Sequence, residues 1–298
     1  MNICEKGLRV LGVGLAAVMA VSLWSGCALM RRSAAKAMAP LAEQLTAGLM
    51  REDDLTLVRE GAPSFLLVLD ALAEAHPENP AVLYAAADAQ LAYATAFVAS
   101  ENPARTKLMY GKARRYSLRA LSCKSPKFAK ALEGHSQEAF ERSLETFKAK
   151  DAAMLFTAAS SWVFWIMANS DSPAAVGGLP RVLAMIRKTQ ELDSNIRNGG
   201  PDLFYGIYYT VLPPGGGRDL EKARAHFERS MEIAGPDYLL ARVTFAEFYA
   251  RYAFDQELFE KTLRDVLAAE PKRPEFTMMN QAAQQRAKRL LEKTEDLF

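Results

Sequence analysis

From about residue 41 to the C-terminus the chain repeats one arrangement: apolar residues three and four apart, charged residues between them, then a break containing proline. That spacing puts the apolar side chains on one face of an α-helix. The breaks are well marked, at AHPENP (Ala75–Pro80), CKSPKF (Cys123–Phe128), AGPDY (Ala234–Tyr238) and AEPKRP (Ala269–Pro274). Proline cannot continue a helix, so each break predicts a stop. Ala, Leu, Glu, Lys and Arg dominate the blocks and strand-like alternation is lacking, which predicts an all-α domain over 41–298. One block departs from the rule. Ala152–Ala168 is apolar nearly all the way round, and predicts a helix buried on every side. It is shorter than the roughly 20 residues of a membrane span, carries Thr157, Ser160 and Ser161, and lies between Asp151 and Asp171.

The blocks share a finer pattern upstream of their prolines. Phe65, Leu69, Leu72 and Pro77 have gaps of 4, 3 and 5, repeated by Phe259, Leu263, Val266 and Pro271. Ala113, Ser117, Ala120 and Pro126 have gaps of 4, 3 and 6, repeated by Ala223, Phe227, Ser230 and Pro236. These rows resemble the second helix of a tetratricopeptide (TPR) hairpin, in which small and aromatic residues precede a proline at such offsets. The rows start 48, 110 and 36 residues apart, and no first helix carries the full TPR set of tryptophan, leucine, glycine and tyrosine. The expected architecture is a degenerate TPR-like array of helical hairpins with an additional buried central helix.

Ahead of this domain, Lys6 and Arg9 precede an uncharged apolar stretch, Val10–Trp24, and then Ser25, Gly26 and Cys27. A basic start, a short apolar run and small residues before a cleavage point form a signal-peptide profile. Ser25–Gly26–Cys27 resembles the bacterial lipobox, with Trp24 where leucine is usual. The expected organisation is a lipoprotein signal peptide at 1–26, a lipidated Cys27 with a linker at 27–40, and the helical domain at 41–298. Acyl chains on Cys27, at about 0.8 kcal/mol per buried methylene, would hold the domain on a membrane without a protein span. Ala28 stands where an aspartate tends to retain enteric lipoproteins in the inner membrane, which points to the outer membrane, facing the periplasm.

Loss of the leader removes Lys6, Arg9 and Glu5, so the mature chain is close to neutral and lacks the basic face a nucleic-acid partner requires. Cys123 is the single cysteine beyond Cys27 and has no intrachain partner, so packing has to hold the fold. It reads as a small packing residue near a helix end. His76, His135 and His226 are each isolated, so no metal site is expected; they read as polar surface or interface residues. PPGGGRD (Pro213–Asp219) lacks the Gly-Lys-Ser/Thr ending of a phosphate loop and reads as the connection within one hairpin. No Gly-x-Ser-x-Gly element or Cys and His pairing marks a nucleophile. Neither catalysis nor a cofactor is expected.

Aromatic residues gather in two places: Trp162, Phe164 and Trp165 on the apolar block, and Phe204, Tyr205, Tyr208 and Tyr209 in DLFYGIYYTVLP (Asp202–Pro213). They read as core packing or as the wall of a part-polar cavity, since a buried tyrosine hydroxyl needs a partner. Trp162, Trp165, Tyr205 and Tyr209 are the candidate lining of such a cavity.

The phrases GGPDLFYGIYYTVLPPGGG, ARAHFERSMEIAG and TFAEFYARYAFDQELFEKTLRDVLAAEP, with the closing QAAQQRAKRLLEKTEDLF, resemble the T-component lipoproteins (TatT family) of tripartite ATP-independent periplasmic (TRAP) transporters. The resemblance implies a TPR fold, a homotrimer, a pore or cleft in each protomer, docking to the periplasmic solute-binding subunit and handling of a hydrophobic organic-acid ligand. A general TPR scaffold lipoprotein serving envelope or outer-membrane assembly is the alternative that the residues alone leave open.

Overall fold

Each of the four proline-marked breaks separates two helices in the computed structural model, which describes residues 48–99 and 101–298. The helices are α1 (Leu55–Ala75), α2 (Pro80–Tyr93, continued by a π-turn at Ala94–Val98), α3 (Pro103–Lys124), α4 (Pro126–Glu133) and α5 (Gln137–Leu144). A 3₁₀ turn at Ala149–Asp151 leads into α6 (Ala152–Met167), followed by α7 (Pro173–Val176), α8 (Leu179–Leu192) and α9 (Ile196–Val211). The chain ends with α10 (Leu220–Ala234), α11 (Leu240–Phe245, continued by a π-turn at Ala246–Ala250), α12 (Gln256–Ala268), α13 (Thr277–Leu291) and α14 (Thr294–Leu297). No strand occurs among the described residues. The proposed lipid site Cys27 and the 1–40 leader and linker lie outside them.

Helix starts follow from local chemistry. Asn79–Pro80, Asn102–Pro103, Ser125–Pro126 and Ser172–Pro173 open four helices alike: the polar side chain accepts a hydrogen bond from an otherwise unpaired backbone N–H of the first turn. The proline follows where its missing N–H would have had no partner. Pro126 therefore closes one row of the sequence pattern and also begins α4. Asp54, Ser136, Asp219 and Asp255 cap four further helices without proline.

Neighbouring helices pack in succession, α1 on α2, α2 on α3, α9 on α10 and α12 on α13, while α6 is inserted against α2, α3, α8 and α9. Three of the four rows are wholly inaccessible to solvent: Ala113, Ser117 and Ala120; Ala223, Phe227 and Ser230; Phe259, Leu263 and Val266. In the first row only Leu69 is buried, and among the described residues no helix covers the outer side of α1, where Leu57, Leu67 and Val68 are exposed. The α6 helix is buried or half-buried on every side as far as Ile166, and its Leu155, Ala158, Ala159 and Trp162 centre a core shared with Phe128, Phe140, Met185 and Ile186. Each large apolar side chain so buried contributes about 1.5–3 kcal/mol. One helix among the described residues, Pro80–Val98, is long and apolar enough to cross a membrane, but Leu83, Ala86, Ala87 and Ala94 on it face the protein core.

The last long helix returns to the first. Met278 on α13 shares a core with Leu55 and Val58 of α1 and Tyr93 of α2, and Lys272 pairs with Asp53 at 2.6 Å. One sequence expectation needs correcting: Cys123 does lie at a helix end, but it is exposed and does not pack in the core. It occupies the last turn of α3, where its thiol lies 3.8 Å from the Pro77 carbonyl in the α1–α2 connection.

Candidate functional site

The nominated aromatic residues fall on two helices. Trp162 and Trp165 are three apart on α6, so both rings lie on the side of that helix facing α3. α3 presents Gly111, Arg114 and Ser117 there, again at intervals of three. At Gly111 a Cβ would stand 3.5 Å from the Trp165 indole nitrogen, an ordinary contact, so an alanine would fit there. Gly178, at the start of α8, allows a closer approach, since a Cβ would stand 2.7 Å from the Trp162 indole nitrogen. Ser117 and Ser161 face each other with hydroxyl oxygens 2.9 Å apart and satisfy one another inside the interface.

Arg114 sits over both indoles, its guanidinium carbon 4.8 Å from the Trp162 ring centroid and 4.3 Å from that of Trp165. Cation–π attraction holds the group there. Among the described residues its guanidinium makes no hydrogen bond and no ion pair, and its Nε is buried without a partner. Burial pulls its pKa below the ordinary arginine value, yet a guanidinium stays charged at any physiological pH.

The tyrosines lie along α9, whose partner is α10. Tyr205 stacks at 6.3 Å on Tyr209, and both rings pack on His226, at 5.2 and 5.8 Å. His226 Nδ1 is 2.8 Å from Oδ1 of Asp202, a buried carboxylate that also accepts a long hydrogen bond from Gln190. His226 is thus half-buried and paired across a helix hairpin. No local pattern marks this pair, because Asp202 lies 24 residues away and on the other helix. Lys222 stands 5.6 Å over the Tyr209 ring. Burial raises the Tyr205 hydroxyl to about 12, partly offset by the Arg187 charge, so it is a neutral hydrogen-bonding group at any physiological pH.

Trp162, Trp165 and Tyr205 border one core, together with Phe204. Trp162 is only 4% exposed and forms its wall; Trp165 and Tyr205 are half-buried at its margin. Tyr209 belongs to the His226 and Lys222 group farther along α9. Two surface depressions, of about 300 and 230 Å³, lie elsewhere: one beside Arg59, Tyr93 and Arg105, the other between Glu141 and Lys188.

Between these aromatic groups the chain makes a left-handed turn in three successive residues, Arg197, Asn198 and Gly199, with φ of 52°, 57° and 76°. Two of the three carry side chains, a conformation costing about 1 kcal/mol or more per residue unless neighbours impose it. The neighbours do. Arg197 donates to Asp88 at 2.7 Å and to the Tyr84 hydroxyl at 3.1 Å, and Thr157 donates to the same Asp88 oxygen at 3.0 Å. Burial acts against the Arg197 charge, but the Asp88 carboxylate outweighs it and raises the arginine pKa. A Cβ added at Gly199 would stand 3.1 Å from the Ser230 backbone, a contact tighter than side chains ordinarily make. The turn thereby ties α2, α6 and α10 to the start of α9.

The described residues are all-helical, with a buried central helix and two aromatic groups, and hold no cluster of His, Cys, Asp or Glu able to bind a metal ion. The chain belongs to the TRAP transporter T-component family (TAtT), whose family model matches residues 51–298. It is also 23% identical over 307 aligned residues to an uncharacterised protein of Treponema pallidum (strain Nichols), with 93% of this chain and 94% of that protein covered. The likeness spans nearly the full length of both chains.

Proposed function

We propose that the protein is a non-catalytic accessory of a TRAP transporter, docking its periplasmic solute-binding subunit and holding or passing a hydrophobic organic acid. Membership of the T-component family carries this reading, because the match runs through all the helices from α1 to α14. The aromatic groups on α6 and α9 support the ligand-handling part, with Trp162, Trp165, Tyr205 and Tyr209 as the contact residues. A TPR-like hairpin array, working as a homotrimer, is the form in which it acts. Acylation of Cys27 anchors it to the outer membrane, facing the periplasm.

The docking part is tested by pull-down from periplasmic extract with a tagged form beginning at Ala28, and mass spectrometry of what is retained. Recovery of a TRAP solute-binding subunit is the expected result. Recovery of envelope-assembly proteins without that subunit would replace the transporter role by a scaffold role. For the anchor, Cys27→Ala is expected to leave uncleaved precursor without lipid; normal maturation of that variant would overturn the anchoring.

A further inference from the structure

The geometry points to Arg114, clamped between Trp162 and Trp165, as the anchor for the carboxylate of the ligand. This deepens the organic-acid part of the proposed function and rests on it.

Four observations converge on this residue. The guanidinium carbon lies over both indole rings, at 4.8 and 4.3 Å, contacts that leave its N–H groups without a hydrogen-bond acceptor. Those groups make no hydrogen bond and no ion pair among the described residues, whereas Arg181 donates to the carbonyls of Leu132 and Gly134, Arg218 to that of Leu212, and Arg286 pairs with Glu247; Arg242 and Arg251, half-buried and also without such partners, lack the double indole contact. The Nε is buried with no acceptor at all. Lastly, Gly178 removes a side chain that would push the Trp162 indole from its place, since a Cβ there would stand 2.7 Å from the ring nitrogen.

A charge taken partly out of water without a partner costs several kcal/mol when nothing compensates it. Cation–π contacts return about 0.5–2 kcal/mol each, so two of them hold the group without satisfying its N–H donors. The missing interaction is an oxyanion with two oxygens in one plane, which the guanidinium fork accepts through two parallel hydrogen bonds. The two indoles give that oxyanion an apolar or aromatic tail to match. An organic carboxylate is the class of ligand selected. Phosphate shares the charge but has no apolar part, so the indole margin adds nothing to its binding.

The sequence makes the test direct. Of the three tryptophans, Trp24 lies in the leader and the other two are the clamp itself. In the full chain carrying Trp24→Phe, all indole fluorescence therefore reports on this site. The probe is phenylacetate, with 2-phenylethanol as its uncharged match and inorganic phosphate as the competing anion. A saturable change in emission with phenylacetate alone is expected. Arg114→Met should weaken it at least tenfold, and Arg114→Lys, which keeps the charge but loses the fork, should fall between. Equal binding by the wild-type chain and Arg114→Met would overturn the assignment, as would a response to phosphate without one to phenylacetate, or no response to either. Circular-dichroism melting of both variants establishes that they are folded. The outcome is separable from the docking role: phenylacetate binding with no solute-binding subunit in the pull-down would keep the anchor and remove the partner.

Discussion

The α9–α10 hairpin and the α3–α6 pair are built alike and finished differently. Both are antiparallel helix pairs brought close by glycine and small residues. In the hairpin, Gly206 lets the helices approach until the Phe227 ring fills the gap, where a Cβ would stand only 2.8 Å away. Its polar groups are nearly all answered: Asp202 by His226, Thr210 by a carbonyl one turn back, with the Ser230 hydroxyl alone left over. The α3–α6 pair satisfies Ser117 with Ser161 in the same way, but leaves a guanidinium held by rings and bonded to no described residue. An unanswered hydroxyl is a matter of about 1–3 kcal/mol; an unanswered charge costs more. The difference teaches that the hairpin is arranged for stability, whereas the α3–α6 pair carries a deficit that no described residue makes good.

The sharpest way to break this contrast is through the hairpin core. Phe227 is wholly buried, and Phe227→Ala should cost about 4 kcal/mol in urea unfolding; a loss below about 1 kcal/mol would mean that the hairpin is not the stabilising unit. Gly206→Ala comes next, because its new methyl must displace that same ring. About 2 kcal/mol is expected, read as a lower melting temperature. The two effects should not add, since removing the ring also removes the clash, and a double-mutant cycle measures that coupling.

A smaller effect tests the start of α6. Asp151 is buried before the first turn and pairs with Lys124, while the Lys148 backbone N–H donates to it at 3.0 Å. Burial raises its pKa, but these partners outweigh that and hold the carboxyl below the ordinary carboxylate value. The sign follows. A depressed pKa in the folded state gives stability that is complete above the unfolded value, about 3.9, and is lost as pH falls through the folded one. Asp151→Asn should cost about 1 kcal/mol at neutral pH and flatten the stability profile below about pH 4, as read from urea midpoints across that range. Arg114→Met is expected to show the least change in stability, staying within about 1 kcal/mol of the wild-type chain, because the side chain removed has no polar partner to orphan. A loss of 3 kcal/mol or more would mean that Arg114 is a structural residue, and would erase the distinction between the two pairs.

Much of this fold was readable in advance because proline and short polar caps act locally. Asn79–Pro80 and Ser125–Pro126 start helices whatever packs beside them, and rows such as Ala223, Phe227 and Ser230 show their buried face through spacing alone. The candidate site was legible only in part. Trp162 and Trp165 stood out by residue type, but Arg114 lies in GKARRYSLRA, where it looks like one more charge on a solvated basic helix. Its neighbour Arg115 is such a residue; one helical step of about 100° separates an exposed arginine from a clamped one. His226 and Asp202, like Arg197 and Asp88, meet only once the tertiary fold exists, so no local rule reveals them. Cys123 failed for a related reason: its position at a helix end was correct, but whether another helix covers that end depends on distant parts of the chain.

The return of α13 to α1 has a consequence for how this architecture can evolve. Open solenoids grow by copying a unit, and they need special end units to shield the apolar faces left bare. Here Met278 is already lodged against Leu55 and Tyr93, so the two ends shield one another. An added hairpin would have to force that contact apart. Gene duplication can therefore lengthen the loops of this protein, or pair whole copies of it, more readily than it can extend the array.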